Sequence, residues 1–344
     1  MSLYSCTAEL PDGALGAFEA KAAITPDGIE LQGGAQHASI PFVDLMDMRL
    51  LNYHLHLTLR DGEAVLSQLG YQTEEFFEKL WQAYAAKSLE SLFVEGAPAI
   101  ACEGDYAYEE PGFVRSSIAK LELREDCLCI VPHDVGARRV PLCFAEEPAR
   151  EGFKLSVALD TGEAYQVARL GSNTDPFFNR LVSARKQAVA AWEAAHCELA
   201  GNLEARLEAA GAIAEYRAFQ QLGAAGTDST VEIGLFAADD DAFWFAAVAD
   251  GRAAVELVCN EQTATYLYRF PTSAAQFTAS LRHAMEAVKR HRRLIFLTED
   301  ELLGEPLFRM AVDRSAHVRF LRSCNAGRII HTSNWSTKLA EFFA

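Results

Sequence analysis

Apolar and polar residues alternate along this chain with two periods, and the switch between them recurs after about a hundred residues. Tyr53, Leu55, Leu57 and Leu59 alternate with His54, His56, Thr58 and Arg60. A period of two predicts a strand with one buried face. Phe153, Leu155, Val157 and Leu159 repeat the pattern. Asp61-Gly62 and Thr161-Gly162 then predict hairpin turns, where Gly tolerates positive φ. Further strands are expected over 64–69 and 164–170. Pro26-Asp27-Gly28 and Arg124-Glu125-Asp126 mark an earlier hairpin in each copy. After the strands the period lengthens. Phe76, Phe77, Leu80, Trp81 and Tyr84 form a helical stripe. The helix is expected to begin at Thr73, with its hydroxyl as cap and Glu74 and Glu75 in the first turn. Its counterpart opens at Thr174-Asp175-Pro176 and carries Phe177, Phe178, Leu181, Val182, Val189 and Trp192. Core packing against the sheet is the expected role of these aromatics.

The two stretches are copies of one unit. Ala20-Lys21-Ala22-Ala23-Ile24 aligns with Ala119-Lys120-Leu121-Glu122-Leu123, Gly28–Leu31 with Cys127–Ile130, and Ile40-Pro41 with Val140-Pro141. Leu69-Gly70 aligns with Leu170-Gly171, and Phe76-Phe77-x-x-Leu80 with Phe177-Phe178-x-x-Leu181. The offset drifts only from 99 to 101, at turns. Each copy offers about six short strands and one closing helix. The shared positions are strand-core, turn and helix-core positions, so the repeat concerns folding.

Antiparallel strands closed by an amphipathic helix and its Phe-Phe-x-x-Leu resemble the pleckstrin-homology-like (PH-like) superfold. The resemblance covers residues 1–195 as two tandem copies. It implies, for each, a bent antiparallel sheet of seven strands with one end covered by the final helix. The expected class is α+β, mainly β: tandem PH-like sheets plus an α+β C-terminal region. The expected boundaries are 1–95 and 96–198 for the two modules, 199–296 for a helix and a possible degenerate third unit, and 297–344 for a basic helical segment. Members of the family that bind phosphoinositides carry Lys and Arg on the first two strands and the loop between them. Here Lys21 stands without a basic cluster, and Lys120 and Arg124 stand among Glu122, Glu125 and Asp126. Phosphoinositide binding is therefore not expected.

Beyond the copies, Leu199, Leu203, Leu207, Ala210, Ile213, Tyr216 and Phe219 predict a helix over 199–222. Residues 223–229 read as a loop. Strands are expected at 231–236, 242–248, 253–259 and 263–270. Pro271-Thr272-Ser273 opens a helix with Phe277, Leu281, Met285 and Val288 on one side. Strands followed by a helix suggest a third, shortened copy at 223–293. Residues 294–344 read as helical segments, with Trp335, Leu339, Phe342 and Phe343 docking on a neighbouring domain.

Charge adds a second asymmetry. The chain has 31 Lys+Arg against 48 Asp+Glu, a net charge of −17, yet residues 282–344 hold 11 basic against 7 acidic residues. An acidic body repels phosphate backbones and anionic lipid, so nucleic acid is not an expected partner. No apolar run reaches the length of a membrane span. The opening residues lack a basic flank and an apolar segment, so no secretory leader is expected and the cytoplasm is the default compartment. Eight cysteines show no C-x-x-C spacing. Cys127 and Cys129 share a strand face, where burial as small hydrophobes is favoured over metal binding. His54 and His56 also share a face, but no further metal ligands are nominated.

The candidate binding residues lie where the copies differ and in the basic tail. Arg138-Arg139 could grip a carboxylate or phosphate, against the commoner solvated turn. Arg290, Arg292, Arg293, Arg319 and Arg322 could form a patch or pair with the acidic body; Arg309, Arg314 and Arg328 share that segment. No phosphate loop, dinucleotide fingerprint, zincin motif or Ser-His-Asp order is readable around His317 or His331. No catalytic residue, metal or cofactor is therefore nominated. The expectation is a non-enzymatic cytoplasmic interaction protein with protein partners. Two alternatives stay open: an anion- or small-molecule-binding protein or enzyme with its site near the Arg/His-rich C-terminal region, and nucleic-acid binding through 289–328.

Overall fold

The computed structural model describes residues 2–11, 16–110, 113–224, 229–236, 242–258, 264–289 and 291–344. Copy one folds into β1 (Leu3–Glu9), β2 (Phe18–Ile24), β3 (Gly28–Gly33), β4 (Gln36–Pro41), β5 (Leu45–Leu51), β6 (His54–Leu59), β7 (Gly62–Ser67) and helix α1 (Thr73–Ser91). Copy two folds into β8 (Ile100–Glu110), β9 (Phe113–Leu123), β10 (Cys127–Pro132), β11 (Arg138–Pro141), β12 (Ala149–Glu151), β13 (Lys154–Ala158), β14 (Ala164–Ala168) and α2 (Thr174–Gly201). Each copy has seven strands, one more than the hairpin signals suggest. The sheets run β4-β3-β2-β1-β7-β6-β5 and β11-β10-β9-β8-β14-β13-β12, the same order twice, and every pairing is antiparallel. The first strand joins the two ends of each copy by pairing with both its second and its seventh.

Most of the alternating positions sort as their period requires, but Tyr53 and Phe153, expected on the buried face, precede β6 and β13 and are 71% and 74% exposed. Leu55 and Leu57 are buried with Phe76, Leu80 and Trp81 of α1; Leu155 and Val157 are buried with Phe177 and Leu181 of α2. Duplication extends to the backbone. Gln68 and Arg169 take the left-handed conformation at φ 60 and 57, and Gly70 and Gly171 do so at φ 62 and 57. A short 3₁₀ turn follows in each copy. The expected Thr cap is not made. Gln72 and Asn173 occupy the cap positions, while the Thr73 and Thr174 hydroxyls donate to the Gly70 and Gly171 carbonyls at 2.7 and 2.9 Å. The hydroxyls hold the turn that enters the helix, because the left-handed Gly places its carbonyl within their reach.

The third part differs from the sequence reading in three ways. The helix predicted over 199–222 is broken: α2 runs to Gly201, α3 is Leu203–Ala210 and α4 is Ile213–Ala224, with Gly211 left-handed at the break. The predicted loop at 223–229 falls largely outside the described residues. The strands are β15 (Thr230–Leu235), β16 (Phe243–Ala249), β17 (Arg252–Val258) and β18 (Ala264–Arg269), followed by α5 (Ala274–Val288). Four short helices come next: α6 (Arg293–Phe296), α7 (Glu299–Leu303), α8 (Pro306–Arg314) and α9 (Ala316–Cys324). The tail is then not wholly helical: β19 (Asn325–Ile330) pairs with β18 before α10 (Trp335–Phe343). The described strands run β15-β16-β17-β18-β19 in sequence order, so the strand order of the two copies is not repeated there.

This third sheet is buried on both faces. Trp244, Ala246, Val248 and Val255 face α5 to α9, while Phe243, Phe245, Ala247 and Ala254 face α3, α4 and α10. Such two-sided burial explains why β16 and β17 read as continuous apolar runs rather than alternating ones. Trp335, Leu339 and Phe343 dock here, on the sheet that β19 completes.

The three parts exchange core residues. Phe93, just past α1, joins the core around Trp244 and stacks on His291 at 4.2 Å between ring centroids. Met310 of α8 enters the core of copy one. The loop after β10 lies along the edge strand β5: the Met48 N–H donates to His133 O and the Val135 N–H to Met46 O, both at 3.1 Å. His133 packs edge-on against Trp81 at 4.0 Å. These contacts link the parts on either side of the expected 95/96 boundary.

The repeated left-handed residues give a stability prediction. A side chain at φ near 60 costs roughly 1–2 kcal/mol, part of which glycine returns as unfolded-state entropy. Gln68→Gly and Arg169→Gly should each stabilise by about 0.5–1 kcal/mol in urea unfolding; a loss at either position would contradict the assigned backbone.

Candidate functional site: a buried charged junction

The basic pair that distinguishes copy two sits on β11, where copy one has Ala38 and Ser39. Arg139 is not in a solvated turn. Its side chain is 3% exposed and makes a fork-to-fork contact with Glu286 of α5, Nη1 to Oε2 at 2.5 Å and Nη2 to Oε1 at 2.6 Å. Nη2 also reaches Asp126 at 2.7 Å. The carboxylate that the pair grips thus belongs to its own chain. Arg139 is held charged well above its usual range, because Glu286 and nearby anions outweigh the burial that opposes charge. Burial likewise works against charge on Asp126, but Arg139 holds its carboxyl down to about 2.

Around this ion pair the parts converge on a small cavity of about 40 Å³. Copy two lines it with Arg138, Arg139, Glu163 and Tyr165, α5 with His283 and Glu286, and α8 and α9 with Arg314 and His317. Residues 91–93, at the end of α1, close one side. The copies differ again at Glu163. Its counterpart Glu63 lies 3.2 Å from His56, whereas position 156 is a serine. Glu163 instead accepts hydrogen bonds from Tyr165 at 3.1 Å and Tyr108 at 3.3 Å and faces His317 at 3.6 Å. Burial opposes its charge, yet His317 and Tyr165 hold its carboxyl down to about 2.

One turn docks the tail in both copies with opposite charge. In copy one Arg60 pairs with Asp313 of α8. In copy two the equivalent Asp160 pairs with His283 of α5 at 2.5 Å. His283 is 2% exposed, and burial lowers its pKa despite that partner. Arg314, also 2% exposed, donates to Tyr84 Oη at 2.7 Å and Met310 O at 3.0 Å. Arg309 reaches Asp44 at 3.3 Å, and Lys289 lies 3.7 Å from Asp126.

The nominated arginines therefore do not form one patch. Arg138 and Arg139 line the junction. Arg290 lies outside the described residues. Arg292 sits over the Phe236 ring at 5.9 Å, and Arg293 is exposed. Arg319 donates to the Val312 carbonyl at 3.0 Å and to that of Asp313. Arg322 donates to Leu294 O at 2.9 Å and Leu297 O at 2.7 Å and pairs with Glu299 at 2.6 Å. Much of the basic tail thus binds helix ends and acidic groups of its own chain. Sequence reading did not nominate Glu286, Glu163, Asp160 or His283. The only signal for Glu163 was the loss of the His56 counterpart.

His331 belongs to a second cluster. It lies between Glu256 at 3.2 Å and Glu215 at 3.4 Å, and the Glu256 hydrogen bond raises its pKa. Thr265 donates to Glu256 at 2.6 Å and accepts from Trp335 Nε1 at 2.6 Å. These contacts tie β19 and α10 to the sheet. Cys127 and Cys129 are buried with their sulfurs 3.8 Å apart. His54 Nδ1 lies 3.0 Å from the Asn52 carbonyl.

No family model matches the chain, and no curated protein matches it. Among the described residues no helix is long and apolar enough to cross a membrane.

Two predictions follow from the charges. Glu286→Ala would leave the Arg139 guanidinium buried with only Asp126 and should destabilise by about 3–5 kcal/mol. Arg139→Met with Glu286→Leu should cost far less in the same urea titration. Glu163 and Asp126 are both held down to about 2, below the ordinary carboxylate range. Their contribution is complete above pH 5 and is lost as pH falls towards 2. Glu163→Gln should remove roughly 3 kcal/mol of this acid dependence. An unchanged slope between pH 5 and 2 would refute the assignment.

Proposed function

We propose that this chain is a non-enzymatic cytoplasmic interaction protein built on two PH-like modules, and that it receives an extended acidic segment of a protein partner along β19. The repeated strand order, with each sheet followed by a closing helix, supports the modules. Phosphoinositide recognition gains no support: Lys120 pairs with Glu78 at 2.9 Å, and Arg124 with Glu122 at 2.5 Å.

The observation that carries the partner reading is the edge at β19. Five of its six residues are exposed, including Ile330 at 59%. Among the described residues no backbone hydrogen bond from another segment reaches its outer side. An unpaired edge offers main-chain donors and acceptors to an incoming strand. The chain already uses this mode internally, where residues 133–135 lie along β5. Exposed Arg328 favours an acidic segment.

Capture by the immobilised full chain tests this reading. Proteins retained at low salt should be lost about tenfold with Arg328→Glu and with Ala326→Pro, with the melting temperature of Arg328→Glu unchanged. Equal retention by both variants, or no specific retention at any salt, would refute the β19 assignment.

A further inference from the structure

Three guanidinium groups line the junction cavity, those of Arg138, Arg139 and Arg314, and they face two carboxylates, Glu163 and Glu286. Glu286 is taken up by Arg139. Glu163 is shared among Tyr108, Tyr165 and His317. Among the described residues neither Arg138 nor Arg314 has a carboxylate within ion-pair distance. Arg138 has the Ala137 and Val135 carbonyls at 2.9 and 3.4 Å and the Tyr108 ring; Arg314 has the Met310 carbonyl and the Tyr84 phenol and ring. The Nε atoms of both are buried without a hydrogen-bond partner, as is His317 Nε2. A buried cation lacking a counter-charge is costly; Arg314 is 2% exposed, and the half-buried Arg138 faces the same space.

A second feature has the same sign. The first turn of α9, Ala316 to Val318, lines the cavity. A helix N-terminus presents the positive end of the backbone dipole. Leu92, Phe93, Leu159, Val288 and Leu294 supply an apolar part of the wall, beside Ser91, Ser315, Tyr165, His283 and His317.

We propose that this cavity binds a small monovalent anion, a halide or a planar oxyanion of nitrate or formate size, between Arg138 of copy two and Arg314 of the C-terminal part. Size sets the class. A water needs on the order of 10–15 Å³ by this measure, so about 40 Å³ takes a few heavy atoms and is too tight for a phosphate ester. Guanidinium forks suit planar oxyanions. The anion would join two parts of the chain and make their docking depend on anion concentration. This proposal is independent of the β19 reading.

Bromide is the probe. The melting temperature of the full chain is followed while sodium bromide replaces sodium gluconate at constant ionic strength. The expected result is a saturating rise of about 2–4 °C, because a ligand bound only to the folded state stabilises by mass action. Arg314→Met should abolish that rise, and Arg138→Met should weaken or abolish it; the second variant serves if the first does not fold. Crystals grown in bromide should show an anomalous peak beside both guanidinium groups. A response that is absent or never saturates, or bromide found only at surface positions as an adventitious ion only, would overturn the proposal.

Discussion

The arrangement of the three parts depends on the buried ion pair between Arg139 and Glu286. Burying an arginine to 3% exposure is costly unless an opposite charge is fixed against it. That charge comes from α5, outside the module that supplies Arg139. Separating copy two from the C-terminal part would leave both ions without each other. Asp160 with His283 likewise links copy two to α5, and Arg60 with Asp313 links copy one to α8. Docking is thus set by the need to neutralise buried groups, and apolar exchanges such as Phe93 and Met310 then fill the seams.

Two parts of the chain share one strand order, and differences at a few positions give them different surfaces. The turn between the sixth and seventh strands of each copy faces the tail, with arginine in one and aspartate in the other. Copy two has Ser156 at the position of His56, and its Glu163 faces the junction. The sheet edges diverged too. β5 is covered by the loop from copy two, whereas β12 is short, charged and preceded by Pro148. Cover, shortness, charge and proline are all means of preventing unwanted strand pairing.

β6, β7, β13 and β14 were legible because each buries one face, which imposes a period of two. The closing helices were legible through the apolar stripes from Phe76 and Phe177. Where the physical basis of the signal changed, reading failed. β19 is exposed at five of six positions and carries no alternation that marks a strand. Helical spacing over 199–222 passes through Gly211 undisturbed, though the backbone breaks there. Thr73 has the composition of a cap but bonds back to Gly70, because the preceding left-handed turn presents a carbonyl to it.

By itself the sequence determined the antiparallel strands of each copy, its closing helix and the positions where the copies part. These are local matters of period and turn chemistry, and neighbouring residues carry them. It also singled out Arg138 and Arg139 by the failure of the repeat. Only the tertiary structure decided what those arginines meet. Glu286 stands 147 residues from Arg139, and no spacing rule links them. The sign of the basic tail was readable, but its direction was not. Whether a cation faces solvent or a buried carboxylate depends on how α5, α8 and α9 pack, and that packing exists only in the assembled chain.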